Sequence, residues 1–149
     1  MRLFRLLPVL AACILTAVAA LAAGQATPEE AKALALKAAA YLQEVGPEKA
    51  LPEFSSKDGL WHDRDLYVTV QDDKGIMVAH GTNRALIGRS VLDLRDVDGK
   101  SFNRDIQALK EPGWISYKWQ NPATKAVENK VAYQVPVKGY VVGVGAYAQ

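Results

Sequence analysis

From Leu66 to Gln71 the chain alternates without a break, with Leu66, Val68 and Val70 on one side and Tyr67, Thr69 and Gln71 on the other. Side chains of a strand point to opposite faces with a period of two, so this run reads as a half-buried strand. Asp72-Asp73-Lys74-Gly75 follows, a turn whose residue types tolerate positive φ, and Ile76 to His80 is the returning strand of a hairpin. The stretch from Trp61 to Phe102 is organised around that hairpin. Beyond it, Leu86 to Phe102 is too apolar for a floppy linker and too broken by glycine and aspartate for one regular element. Such a segment suits a long loop packed by its own side chains, in which Gly88 and Gly99 permit backbone conformations that a Cβ would oppose.

The flanks supply the rest of the sheet and its cover. Thr27-Pro28-Glu29-Glu30 is a helix start, with a threonine cap, proline at the first helical position and Glu30 in capping-box register. Leu34, Ala38, Tyr41, Leu42 and Val45 then recur at three- and four-residue steps, one apolar stripe on a helix that Gly46-Pro47 ends. Glu48 to Phe54 reads as a short second helix with Ala50, Leu51 and Phe54 inward. Phe102 to Leu109 is a two-turn helix stopped by Pro112-Gly113, and Trp114 to Trp119 is a strand. Glu128 to Val137 and Tyr140 to Tyr147 form a last hairpin around Lys138-Gly139. Helices followed by adjacent antiparallel strands give an α+β domain, a long N-terminal helix packed on a central antiparallel sheet of about five strands.

The first residues stand apart. Arg2 and Arg5 precede an apolar run from Leu6 to Leu21, with small residues Ala20, Ala22 and Ala23 at its end, the pattern of a secretory signal peptide. Residues 1–23 are read as that leader and 24–149 as one domain, periplasmic or secreted once the leader is cleaved. The competing reading is an N-terminal membrane anchor, because the apolar run borders on the ~20 residues that span a bilayer. Cys13, the one cysteine, lies in the leader, so the exported domain carries no disulfide framework and no cysteine metal site. The 18 Lys and Arg against 16 Asp and Glu include Arg2 and Arg5, which leaves the domain itself formally neutral. Its basic residues are scattered among acids, which excludes a nucleic-acid footprint.

Several segments together resemble a known family. Leu86-Ile87-Gly88-Arg89-Ser90-Val91-Leu92-Asp93-Leu94-Arg95-Asp96-Val97-Asp98-Gly99, followed by Phe102, is similar to the L-x-G-K-N-L-x-D-x-K-D-x-x-G run of single Cache domains, extracytoplasmic sensor modules with a PAS-like fold. Gly113 to Pro122, Lys130 with Tyr133, and Val141-Val142-Gly143-Val144-Gly145-Ala146-Tyr147 carry the likeness over nearly all of the chain after the leader, in the family's order. The resemblance implies that the long first helix lies across the sheet and that a pocket on the sheet grips a small organic acid. It further implies a sensor module, and with no second membrane helix or output domain before Gln149 the expectation is a stand-alone exported form that presents this ligand to a membrane receptor or transporter. The ligand-binding residues it points to are Trp61, Tyr67, His80, Trp114, Tyr117, Lys130 and Tyr133.

Each of these has a plainer reading beside the functional one. Lys130 is a solvated strand lysine or the cation for a carboxylate; alternation puts it on one face with Ala132 and Gln134, with Tyr133 facing oppositely. His80, followed by Gly81 where the family often has proline, is a satisfied structural histidine or a ligand contact, and His62 reads as a surface residue. Trp114, Tyr117 and Trp119 are core aromatics or a ligand box, while Trp61 and Tyr67 are candidates for the pocket's apolar end. Asp96-Val97-Asp98-Gly99 looks like part of a calcium loop but lacks the glutamate at position twelve, and a turn that bonds its own backbone accounts for it better. With no nucleophile elbow, no His-Glu-x-x-His and no phosphate loop, the chain reads as a binding module without cofactor or metal, not as an enzyme. The alternative is a structural or protein-interaction module whose pocket its own side chains fill.

Overall fold

The computed structural model describes residues 24–147; the leader read in residues 1–23 lies outside them. Helix α1 spans Pro28–Val45 under a complete capping box, in which Thr27 Oγ1 accepts from Glu30 N at 3.2 Å and Glu30 Oε2 accepts from Thr27 N at 2.8 Å. Gly46, at φ 82°, breaks it, and α2 (Pro47–Phe54) starts at once on the proline. The strands are β1 (His62–Asp63), β2 (Leu66–Asp72), β3 (Met77–His80), β4 (Gly113–Gln120), β5 (Val127–Val137) and β6 (Tyr140–Tyr147), with α3 (Phe102–Ala108) between β3 and β4. All pairings are antiparallel, in the order β1-β2-β6-β5-β4, and β3 also pairs with β2. The sixth strand, β1, is a two-residue piece that alternation is too short to reveal.

The sheet divides the molecule into two layers. On one face Leu66, Val68 and Val70 of β2, Val135 and Val137 of β5, and Val142, Val144 and Ala146 of β6 form the main core. Helix α1 seats on them a stripe of Ala31, Ala35, Ala38, Ala39 and Leu42, whose short side chains let the helix lie close to the sheet. Leu34, Tyr41 and Val45 flank that stripe, partly buried. The opposite face carries Tyr67, Thr69 and Gln71, and it is covered as well. Phe102 of α3 stacks flat on Tyr117, with ring centroids 4.1 Å apart and 7° between planes, and packs with Ile106, Val141 and Trp119. The half-buried strand expected at β2 is thus corrected. Both sides are roofed, and Tyr67 and Gln71 are as buried as the valines beside them.

The long loop between β3 and α3 is stapled to the sheet at both ends. Met77 N donates to Arg89 O at 2.9 Å, Gly88 N to Met77 O at 2.8 Å and Val91 N to Gly75 O at 2.9 Å, so the loop runs as an extra edge along β3. At the far end Asp96 Oδ1 accepts from Asp98 N and Lys100 N, and its Oδ2 accepts from Lys118 N of β4 at 3.0 Å. Those backbone donors, Lys118 first, hold its carboxyl below the usual carboxylate range. Among the described residues no cluster of metal-ligating side chains occurs.

Gly88 and Gly99 sit at φ 84° and 81° with open space where a Cβ would go, so a side chain there is opposed by the backbone alone. Gly88→Val and Gly99→Val are each expected to cost about 1 to 3 kcal/mol in urea unfolding. Unchanged midpoints for both would show that the loop backbone is not constrained in this way.

Candidate functional site

The covered polar face closes around a cavity of about 20 Å³, room for about one water. Its polar lining comes from Tyr67, Thr69 and Gln71 of β2, His80 at the end of β3, Asn103 of α3 and Lys130 of β5. Met77, Leu86, Leu94, Phe102, Ile106 and Trp119 supply the apolar part.

Lys130 begins on β5 and crosses β6 to reach β2. Its Nζ donates to Tyr67 Oη at 2.9 Å and lies 4.1, 5.0 and 5.8 Å from the ring centroids of Tyr67, Tyr147 and Tyr117. The crossing depends on glycine. A Cβ on Gly145 would overlap Lys130 Cε, and one on Gly143 would overlap the Gln134 amide. The Val-Gly-Val-Gly rhythm of β6 therefore leaves a trough on the polar face while its valines fill the helix-side core. Tyr147 Oη donates to Gln120 O at 2.8 Å and lies 3.2 Å from Tyr67 Oη, so Tyr67 donates to Tyr147 and accepts from Lys130. Every link points away from the ammonium. Lys130 is 3% exposed and among the described residues forms no ion pair; Tyr67 Oη accepts its hydrogen bond at 2.9 Å, and the Tyr117 hydroxyl is a second neutral oxygen acting on the amine.

The charges follow from this packing. Burial works to lower the Lys130 pKa, while the charge and hydrogen bonds of the Tyr117 and Tyr67 hydroxyls act to raise it, and the net direction is upward. Burial pushes the Tyr117 and Tyr147 phenols up, so both are neutral there. His80 is fixed by its neighbours: Nδ1 accepts from Thr82 N at 3.2 Å and Asn83 N at 3.0 Å, which places the proton on Nε2. Its ring stacks on Tyr67 at 5.1 Å between centroids. Burial, then the Lys130 charge, lowers its pKa to about 3. The site thus holds one cation and a neutral imidazole.

Of the candidate residues, the structure brings Tyr67, His80, Tyr117 and Lys130 together. Three others lie elsewhere. Trp61 packs on the helix side of the sheet, 4.9 Å from Phe54 and 5.0 Å from Tyr41 between ring centroids, so it walls the main core and not this cavity. Tyr133 is three strand positions from Lys130 and faces α1, where Lys32 Nζ lies 5.1 Å from its ring centroid. Trp114 is the register partner of Tyr133, packs on it, and is 42% exposed. Residues that sequence reasoning missed are Thr69, Gln71, Asn103 and Tyr147. The alternation through Tyr67 carried a signal for the first two; nothing in the sequence marked Asn103.

Comparison with known proteins follows the same lines. The family model for single Cache domain 2 matches residues 6–149. The sensor histidine kinase MctS of Rhizobium johnstonii is 32% identical over 88 residues, which cover 56% of this chain and 19% of that protein, well under two thirds of its length. Among solved structures, a Cache chemosensory domain described as the basis for carboxylic acid recognition superimposes with a TM-score of 0.71 at 24% identity, covering 81% of this chain and 92% of that one. A methyl-accepting chemotaxis protein from Vibrio parahaemolyticus gives 0.68 at 20% identity over 80% and 86%. The periplasmic sensor domain of a chemotaxis protein gives 0.61 at 27% identity over 81% and 90%. The α+β architecture read from the chain is the fold these structures share.

The buried imidazole carries a pH signature. Its folded pKa lies below the unfolded value of 6.5, so the unfolded chain takes up the proton first. Its contribution is complete above about pH 6.5 and is lost towards pH 3, at roughly 1.4 kcal/mol per pH unit. Urea unfolding of wild type should therefore show a loss of about 2 kcal/mol between pH 6.5 and pH 5 that is absent in His80→Asn, whose amide oxygen replaces the Nδ1 acceptor. Equal losses in the two proteins would contradict a buried neutral histidine.

Proposed function

The chain belongs to the single Cache domain 2 family, and from that premise we propose that its cavity binds a short carboxylic acid whose carboxylate becomes the counterion of Lys130. Domains of this family are extracytoplasmic, non-catalytic modules that sense ligands in chemoreceptors and histidine kinases, in chemotaxis and signal transduction. The observation that carries the finer reading is the ammonium itself. A buried cation that meets only neutral phenol oxygens among the described residues is costly, and a carboxylate offsets that cost with charge and with further acceptors. His80, neutral, contributes a further donor at Nε2. The apolar wall of Met77, Leu94, Phe102 and Ile106 suits a short hydrocarbon body. The Cache chemosensory domain described as recognising carboxylic acids supports the same ligand class.

At about 20 Å³ the cavity is smaller than such an acid, so binding requires the loop of residues 81–101 to draw back from the sheet. The exported domain, released from a leader in residues 1–23, then presents the bound acid to a membrane receptor or transporter. Among the described residues no helix is long and apolar enough to cross a membrane. The small cavity also favours a second reading, a structural or protein-interaction module whose own side chains fill the pocket.

A thermal-shift screen of short acids on the exported protein separates the two. At a concentration 100 times its dissociation constant, an acid that binds only the native state adds ~2.7 kcal/mol, or very roughly 10 °C in melting temperature. Lys130→Met is expected to abolish that shift and, without ligand, to melt at or above wild type, because a buried unpaired charge is gone. Equal shifts in wild type and variant would remove Lys130 from the site, and no shift with any acid would establish the self-filled reading.

A further inference from the structure

We propose that Asn103 forms a second pole of this cavity, a fixed amide donor that selects acids carrying another hydrogen-bond acceptor such as a keto oxygen. The proposal rests on the carboxylate reading and adds to it the part of the ligand remote from Lys130. Asn103 is 2% exposed and lines the cavity, and among the described residues its Nδ2 has no hydrogen-bond partner. Buried amide donors in folded proteins are almost always paired, so an unpaired one on a residue that lines a cavity calls for an acceptor.

The orientation of that amide is dictated by the backbone. Asp72 O can only accept, so Gln107 must present Nε2 to it, at 3.0 Å. The same Nε2 donates to Gln71 Oε1 at 3.0 Å, which turns Gln71 so that its own Nε2 donates to Asn103 Oδ1 at 2.6 Å. Rotating the Asn103 amide would set two donors against each other. Three side chains on α3 and β2 therefore pass one polarity from a strand carbonyl to the cavity and leave Nδ2 as its free end. The two poles are spaced along β2. Lys130 bonds Tyr67 and Asn103 bonds Gln71, and four residues of strand separate their Cα atoms by about 13 Å. The side chains lean inward from those positions, so the acceptor lies along the carbon chain from the carboxylate.

Calorimetry on the exported protein with matched acids tests this: propionate against pyruvate, butyrate against acetoacetate, and valerate against 4-oxopentanoate. Wild type is expected to prefer the keto acid by roughly tenfold or more in at least one pair, because the acid without the oxygen leaves the buried donor unmade. Asn103→Leu should bring that ratio close to one while Lys130-dependent binding of the plain acid persists. Gln107 does not line the cavity, and Gln107→Glu places a group there that only accepts. It should turn Gln71 over, present Asn103 Oδ1 to the cavity, and abolish or invert the keto preference with Asn103 itself unchanged. A purely structural role for the relay would weaken both acids of a pair alike. Acids that bind through Lys130 without discriminating, or a ratio unmoved by both variants, would overturn the amide pole alone. No binding by any acid would overturn the carboxylate reading with it.

Discussion

The bond from Lys130 Nζ to Tyr67 Oη joins β5 to β2 across β6, and much of the surrounding sequence answers to that crossing. Gly145 is where the lysine stem passes, so any side chain there would displace it. Tyr147 and Gln120 O take the hydrogen bonds in the direction that leaves Tyr67 an acceptor for the ammonium. His80, stacked on Tyr67 and locked through Nδ1, lies next to the cation in the one protonation state that does not repel it. Replacing the lysine by an apolar residue of similar volume is the simpler way to stabilise such a core. That the chain keeps a charge there is the physical argument that the charge is used.

Two cores on opposite sides of one sheet divide the labour. The helix side is apolar and close-packed, with alanines of α1 against valines of β2, β5 and β6, and it supplies cohesion. The other side holds a smaller apolar cluster around Phe102, Ile106 and Val141 beside the polar groups. Its roof is a loop held by a few backbone bonds near Met77 and by Asp96 against β4, with Leu92 packed against Gly75 between them. A cover attached at its ends can move without disturbing the helix-side core, and the small size of the cavity makes such motion a condition of the proposed binding.

Much of the fold was legible because its signals are local. Thr27, Pro28 and Glu30 fix the start of α1 by chemistry that acts within one turn, and the alternation from Leu66 to Gln71 fixes which side of β2 meets the helices. The alanine stripe was harder to see, since small residues contribute little to a hydrophobic period although they decide how closely the helix packs. In the site, alternation on β5 correctly set Lys130 with Gln134 and apart from Tyr133. Trp61 was assigned to the pocket by the family resemblance alone, and it lies instead on the helix side, ahead of the turn at Arg64, which adopts φ 55° between β1 and β2. Asn103 was out of reach altogether. Its proposed role depends on α3 lying over the end of β2, a contact between residues 32 apart in sequence that no local pattern encodes.

On the proposed function, the Lys130 ammonium takes its counterion from outside the chain. A crystal structure of the protein grown with a saturating short acid tests this. A carboxylate oxygen is expected within about 3 Å of Lys130 Nζ, with the loop of residues 81–101 drawn back to admit it. An acid bound away from Lys130, or a cavity still closed around the tyrosines at saturating acid, would contradict it.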